Sequence, residues 1–184
     1  MRYYPGSPFI ARHFLRKQDR LILSELHPKE HRALEKLFLK DSKVKVLHQD
    51  GYQSLKAFLP PIERRGLVLI DPPFEKPNEF NDIINGISDA LRRFETGVLA
   101  IWYPIKDRPP VDRFHRVLKE TVQRPMLVAE LSLYPETTAL HLNGSGVVII
   151  NPPYKIEETL KEIVPWLAKA LGVKDPQQAR VRVL

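Results

Sequence analysis

The stretch Gly66-Leu67-Val68-Leu69-Ile70-Asp71-Pro72-Pro73-Phe74 joins a short apolar run to a stiff polar turn. A run this apolar is typical of a strand that is buried on both faces of a parallel sheet. Open parallel sheets bind ligands beyond the carboxyl ends of their strands, and the Asp-Pro-Pro-Phe turn stands at that end. The stretch therefore predicts a layered α/β fold with a ligand site at residues 71–74.

The four residues of the turn suit one kind of ligand. Two successive prolines fix φ and remove two backbone donors, so the turn is stiff and its carbonyls are free to accept hydrogen bonds. Asp71, the carbonyl of Pro72 and the ring of Phe74 then offer two acceptors and a flat apolar face. Such a set fits the exocyclic amine of a nucleobase. A plain turn after a strand is the alternative that these four residues alone leave open.

Helical and extended patterns alternate along most of the chain, which is the pattern of an α/β layered sheet. Helices are predicted over residues 7–17, 28–39, 52–59, 80–94, 112–122 and 159–171, and strands over residues 20–26, 44–47, 66–70, 97–103, 126–134 and 146–150. The last two strands follow each other across a polar loop, which predicts a late antiparallel pair in a mostly parallel sheet. The 184 residues are expected to form one domain, with a polar tail from about Lys174 that frays.

The amino-acid composition favours some classes of binding partner over others. The 29 Lys and Arg exceed the 22 Asp and Glu by seven, and the pI is near 9.6. This favours a polyanionic partner such as RNA, DNA or an anionic membrane, although moderately basic soluble proteins are also common. No apolar stretch approaches a membrane span or a signal peptide, so a soluble, cytoplasmic protein is expected. The absence of cysteine excludes disulfides and thiolate metal sites, and the spacing of the six histidines predicts no metal.

Acidic residues follow three successive predicted strands: Glu25, Asp50 and Asp71. In doubly wound folds an acid at the end of the second strand accepts hydrogen bonds from ribose hydroxyls, and Glu25 occupies that place. Asp50-Gly51 resembles a turn that touches an adenine ring, because glycine allows the backbone to approach closely. For each acid taken alone, an exposed turn or a helix N-cap is the alternative.

From Arg2 to about Leu167 the chain resembles the bacterial 23S ribosomal RNA adenine-N6 methyltransferases. Seven segments carry the resemblance: Arg2-Tyr3-Tyr4-Pro5-Gly6-Ser7-Pro8, Glu25-Leu26-His27-Pro28, Asp50-Gly51, Arg64-Arg65-Gly66, Ile70-Asp71-Pro72-Pro73, Trp102-Tyr103-Pro104 and Ile150-Asn151-Pro152-Pro153. The resemblance implies a Rossmann-like class I methyltransferase fold, S-adenosylmethionine as cofactor and an adenine of ribosomal RNA as substrate.

The resemblance also implies roles for individual residues. Ser7, Glu25, Asp50 and Gly51 would contact S-adenosylmethionine, and Asp71, next to the cofactor, would accept a hydrogen bond from the adenine amine. A carbonyl of Pro72 would accept the second amine hydrogen, and Phe74 would stack on the target base. A noncatalytic RNA-binding remnant of the fold and a DNA adenine-N6 methyltransferase are the alternative functions.

A second motif, Asn151-Pro152-Pro153-Tyr154, also follows an apolar strand. As a tetrapeptide it resembles the catalytic motif of other adenine-N6 methyltransferases at least as well as residues 71–74 do. If its strand is the antiparallel one, its carboxyl end points to the sheet edge opposite the cofactor. We therefore expect a structural role, as a rigid turn into the last helix.

The chain departs from the family in one respect. Class I methyltransferases hold the methionine end of the cofactor with a glycine-rich turn after their first strand, and nothing before Ser7 matches that segment. The first strand is therefore expected to be missing, whether the sequence is a fragment or a natural short form. Its loss would leave two apolar strand edges open, with weak or no cofactor binding.

Basic residues fall into three clusters, for which phosphate contact and a solvated helix face are both open. The clusters are Arg12, Arg16, Lys17 and Arg20; Arg92 and Arg93; and Lys106, Arg108, Arg113 and Arg116. Arg12 and Arg16 are expected on one helical face. Trp102 is expected to pack in the core, with a role in the base pocket as the alternative.

Overall fold

The computed structural model describes residues 4–135 and 142–184. The chain divides into two compact units, Met1–Phe58 and Leu59–Leu184, which we call unit 1 and unit 2. The expectation that the 184 residues form one domain stays a prediction. None of the described helices is long and apolar enough to cross a membrane.

Unit 1 contains three helices and a two-stranded parallel sheet. Its elements are α1 (Ser7–His13), β1 (Leu21–Ser24), α2 (Pro28–Phe38), β2 (Val44–Leu47) and α3 (Gly51–Phe58). Pro28 opens α2 at a position where the missing N–H is not needed. Helix α1 ends at His13, four residues before its expected end, and beyond it Asp19 Oδ2 accepts the Arg16 backbone N–H at 2.8 Å. This local bond favours a turn over further helix.

Unit 2 is built on a five-stranded sheet in the order β3-β4-β6-β5-β7. Its elements are β3 (Leu67–Ile70), α4 (Glu79–Arg93), β4 (Val98–Ile105), α5 (Arg108–Thr121), β5 (Met126–Ser132), β6 (Gly144–Ile150), α6 (Ile156–Ala170), a 3-10 turn (Pro176–Gln178) and β7 (Ala179–Val183). The pair β3 and β4 is parallel, whereas β6 runs antiparallel to both β4 and β5. The α/β class and the late antiparallel pair are confirmed, in a mixed sheet; much of the loop expected between β5 and β6 lies outside the described residues.

The frayed tail predicted from Lys174 is wrong. The last residues form β7, which pairs antiparallel with β5 from Leu131↔Ala179 to Leu127↔Val183. The segment Ala179–Val183 alternates small or apolar residues with arginine, and this period-two pattern is the signal that its polarity concealed. Its arginines are held in place: Arg182 donates a hydrogen bond to His115 at 2.9 Å.

The core of unit 2 lies along one face of β4, where alternate residues, among them Ile101 and Tyr103, are fully buried. Phe114 of α5 packs edge-on against Tyr103 and stacks on Phe80 of α4, so both helices cover this face. This packing fixes the sheet that carries residues 71–74.

Four strands have an edge that no other described strand pairs with. β1 and β2 pair only with each other, β3 pairs only with β4, and β7 pairs only with β5. Leu67 and Leu69 of β3 are 69% and 51% exposed. Open strand edges with apolar side chains favour association with a further strand.

Candidate functional site

Asp71 directly follows β3, at the carboxyl end of that strand. Its carboxylate makes no hydrogen bond or ion pair with any residue that the structure describes. The residue as a whole is exposed, but neighbouring atoms exclude part of the solvent from the carboxyl group, and this partial burial raises its pKa. An unpaired carboxylate with increased proton affinity is a suitable acceptor for the N–H groups of a ligand.

Phe74, in the turn that begins at Asp71, has an unusual backbone conformation. Its φ is 52°, in the left-handed region that side chains other than glycine seldom adopt. The ring packs edge-on against Phe80, with centroids 5.2 Å apart, and against Trp102, with centroids 5.9 Å apart. Backbone strain of this kind is concentrated at functional sites, and here aromatic packing supports it.

Trp102 lies on the neighbouring strand at the level of the motif, because Ile70 pairs with Ile101 across β3 and β4. Its side chain is half-buried, whereas Tyr103 beside it is fully buried. Trp102 therefore supports the Phe74 ring, and Tyr103 belongs to the core.

A concavity of about 230 Å³ opens beside Phe74, and we refer to it as the Phe74 pocket. It is lined by Phe74, Lys76, Pro77, Glu79, Phe80, Pro104, Lys106, Asp107, Pro110 and Val111. Its walls come from the loop after the motif, the end of β4 and the start of α5. Asp71 and Pro72 do not line it.

In unit 1, Glu25 and Asp50 lie at one edge, because they follow two parallel strands that pair through Ser24↔Leu47. Glu25 Oε1 accepts the His27 N–H at 2.7 Å, and Asp50 Oδ1 accepts the Tyr52 N–H at 2.7 Å at the start of α3. Both acids thus have the structural roles that were the alternative for each. The second oxygen of each carboxylate bonds to no other residue in the described ranges and can still accept a ligand's hydroxyl.

Ser7 and Gly51, the other two residues expected at the cofactor, are both exposed. Ser7 is the first residue of α1. A Cβ added to Gly51 would meet nothing within 4 Å, so no neighbour in the protein requires glycine there. The expectation that these residues, Glu25, Asp50 and Asp71 bind one cofactor stays a prediction.

Asn151 has the structural role expected of the second motif. Because β6 is antiparallel to β4, with Ile150 opposite Leu99, Asn151 lies beside the amino ends of β3 and β4, whereas Asp71 follows the carboxyl end of β3. Its Nδ2 donates to the carbonyls of Glu95 and Gly97, both at 2.9 Å, and its backbone N–H donates to Pro125. The motif therefore joins three chain segments and leads into α6.

The basic clusters are partly used within the protein. Arg12 pairs with Asp41 and holds the pKa of that carboxyl below its usual range, and Arg92 pairs with Asp89. Arg108 bridges Asp112 and Glu130, at 2.8 Å each. The other basic residues of the clusters are exposed: Arg16, Lys17, Arg20, Arg93, Lys106, Arg113 and Arg116. The prediction that Arg12 and Arg16 share a helical face is wrong, since Arg16 lies beyond α1.

Sequence reasoning missed a buried polar network in unit 2. Arg182 donates to His115 Nδ1, His115 Nε2 donates to the Tyr103 hydroxyl at 3.0 Å, and that hydroxyl donates to Glu130 at 2.8 Å. Arg108 donates to the other oxygen of Glu130. Burial is the main reason that the pKa of Tyr103 is raised and that the pKa of His115 is lowered to about 4. Its members come from β4, α5, β5 and β7, with Arg182 67 positions from His115, so no spacing in the sequence signals the network.

Residues 1–183 match the family described as "Ribosomal RNA large subunit methyltransferase D, RlmJ". The chain belongs to the RlmJ family. It is 44% identical over 171 residues to proteins named ribosomal RNA large subunit methyltransferase J from Escherichia coli K12 and from Haemophilus influenzae. These residues are 93% of this chain and 61% of each relative, so this RlmJ-family chain spans less than two thirds of those proteins.

Two solved structures support the fold of this RlmJ-family chain. A Legionella pneumophila protein is 36% identical, with a TM-score of 0.86, and the match covers 98% of this chain and 66% of that one. Spermidine synthase from Thermotoga maritima is 15% identical, with a TM-score of 0.50, and the match covers 85% of this chain and 61% of that one. The second likeness concerns the fold alone. Within residues 4–135 and 142–184, no group of three His, Asp or Glu is placed to hold a metal.

Proposed function

We propose that this chain forms all or part of an enzyme that methylates the N6 amine of an adenine in 23S ribosomal RNA. The observation that carries the proposal is the Asp71 carboxylate, unpaired among the described residues at the end of β3, in the same turn as the Phe74 ring that packs against Phe80 and Trp102. Membership of the RlmJ family and the names of the relatives support the RNA substrate. The net charge of +7 is consistent with a polyanionic partner.

In the proposed reaction the protein mainly positions the amine. Asp71 and the Pro72 carbonyl accept its two hydrogens, which turns the nitrogen lone pair away from them and out of the base plane. As the N–C bond forms and the amine loses a proton, the raised pKa of Asp71 makes its carboxylate a better proton acceptor. Phe74 offers the face on which the extruded base stacks.

S-adenosylmethionine would supply an electrophilic methyl group, with the sulfur taking the bonding electron pair as the methyl leaves. The residues of unit 1 fit its adenosine half. Glu25 Oε2 and Asp50 Oδ2 are acceptors without a partner among the described residues, and Gly51 leaves open space where a ring could approach the backbone. This fit agrees with the roles that the sequence resemblance implies for these residues.

Transfer of a labelled methyl group to unmodified 23S ribosomal RNA tests the proposal, using protein expressed from its complete reading frame. The Asp71→Ala variant should lower the transfer rate by about 100-fold or more, because it removes both the hydrogen-bond acceptor and its charge. The matched control is Glu75→Ala, which removes an exposed carboxylate four residues away. Glu75→Ala should transfer at the wild-type rate.

The other outcomes separate the alternative functions. RNA binding without transfer by the wild-type protein would point to a noncatalytic RNA-binding module. Faster transfer to DNA than to RNA would point to a DNA methyltransferase. Equal rates for wild type and Asp71→Ala would remove Asp71 from the reaction.

A further inference from the structure

We propose that the Phe74 pocket binds the base of the nucleotide next to the target adenine, and that Lys76 and Lys106 contact the phosphate of that nucleotide. The proposal rests on the proposed function, because it assumes an RNA strand with an adenine at Asp71. It adds a second base-binding site to the first.

The pocket walls suit a flat apolar ring. Phe74 and Phe80 contribute aromatic surfaces, and three prolines contribute apolar faces that carry no N–H donor: Pro77, Pro104 and Pro110. The volume of about 230 Å³ is below the roughly 300–1,000 Å³ of sites that enclose drug-sized ligands. The pocket is therefore large enough for one ring system and too small for a whole cofactor.

The pocket is separate from the place of the target base. Asp71 and Pro72, which hold the target amine in the proposed reaction, are not among its lining residues. Phe74 is shared, since it follows the acceptors in the motif and also forms a wall of the pocket. Two rings that meet the same aromatic side chain belong to neighbouring nucleotides of one strand, because successive bases of single strands stack on adjacent aromatic surfaces.

The charges at the rim fit a phosphate. The side chains of Lys76 and Lys106 are exposed and pair with no other residue that the structure describes. Among the lining residues Glu79 is buried, and only Asp107 adds an exposed negative charge. Helix α5 starts with Arg108-Pro109-Pro110, so two of its first backbone donors are missing. An anion at this rim is therefore held by lysine side chains and not by the helix N-terminus.

The test is binding of short fluorescein-labelled RNA oligomers, followed by anisotropy. One oligomer carries a central adenine, and two others have an abasic residue on its 5′ or its 3′ side. Because stacking contributes about 1–3 kcal/mol per base, one of the two abasic oligomers should bind about 5- to 150-fold more weakly to the wild-type protein. Equal affinity for all three oligomers would overturn the proposal.

Variants then locate the effect. Lys76→Ala and Lys106→Ala should weaken binding of the intact oligomer, and each should lower the slope of log affinity against log salt by about 1. Lys119→Ala, at an exposed position near the other end of α5, is the matched control and should leave both unchanged. If the two pocket variants bind like Lys119→Ala, the lysines do not contact the RNA and the proposal fails.

Neither result depends on methyl transfer. An abasic penalty without transfer would contradict the proposed function alone. Transfer without an abasic penalty would contradict the Phe74 pocket alone.

Discussion

Replacing His115 with glutamine should change how the stability of unit 2 depends on pH. His115 is 3% exposed, and both of its ring nitrogens are used, Nδ1 as an acceptor from Arg182 and Nε2 as a donor to Tyr103. A second proton would have to go on Nδ1, where it would face the Arg182 donor. Burial and this arrangement keep the ring neutral, with a pKa of about 4. Glutamine can accept a hydrogen bond from Arg182 and donate one to Tyr103, and it does not titrate.

The magnitude follows from the two pKa values of the histidine. In the unfolded chain its pKa is near the ordinary 6.5, so between pH 6.5 and 4 the unfolded chain binds a proton that the folded protein does not. The contribution of the neutral His115 ring to the stability of unit 2 is therefore fully present above pH 6.5 and declines as the pH falls towards 4. By pH 4 the loss from this one group is about 3 kcal/mol. Carboxyl groups titrate in the same range, so the difference between wild type and variant isolates His115.

Urea unfolding followed by tryptophan fluorescence measures this difference. The two tryptophans of the chain, Trp102 and Trp166, both belong to unit 2, so their signal reports on that unit. At pH 7 His115→Gln should be less stable than wild type, and the gap should shrink by about 3 kcal/mol by pH 4. His13→Gln, an exposed change in unit 1, should leave the unit 2 transition unaltered. A wild type and His115→Gln that lose stability in parallel from pH 7 to pH 4 would refute the reasoning.

Three further changes have distinct expected results. Gly146→Ala places a Cβ 2.3 Å from the Tyr103 ring and should destabilise unit 2 by about 1–3 kcal/mol in urea unfolding. Gly51→Ala, which has open space around it, should not alter the unfolding of unit 1, and equal effects of the two changes would contradict this. Asn151→Ala loses two hydrogen bonds and should lower the free energy of unfolding by about 1–3 kcal/mol in the same assay. Methyl transfer per folded molecule should not fall, and a stable but inactive variant would make Asn151 catalytic. Wild type is expected to self-associate through the open edge of β3 in sedimentation velocity, and Leu69→Lys, which puts a charge there, should associate less; a monomeric wild type or equal association of both proteins would contradict this.

The sequence predicted the parts of the fold that local chemistry determines. The strand before Asp71 and the helix from Pro28 were predictable from an apolar run and a helix-start proline. The expected burial of that strand on both faces is wrong, since Leu67 and Leu69 are exposed on an edge strand of the sheet. The direction of the strand before Asn151 followed from two strands in succession, and this direction correctly assigned the motif a structural role.

Features that depend on distant partners were not predictable. β7 is a strand because it pairs with β5 and because Arg182 reaches His115, and no neighbouring residue signals either contact. For Arg12 the sequence leaves phosphate contact and a solvated helix face open, yet the residue pairs with Asp41, which lies 29 positions away. At the candidate site, Asp71 and Phe74 were predictable from the motif. The Phe74 pocket was not, since its walls come from two separate segments, residues 74–80 and 104–111.

The central claim is that Asp71 holds the amine of an adenine for methylation. Mass spectrometry of nucleosides from 23S ribosomal RNA that has been incubated with the protein and S-adenosylmethionine tests this most directly. We predict N6-methyladenosine after incubation with wild type and with Glu75→Ala, and an initial rate about 100-fold or more lower with Asp71→Ala. An equal rate from Asp71→Ala, or a methyl group on another atom or base, would contradict the claim.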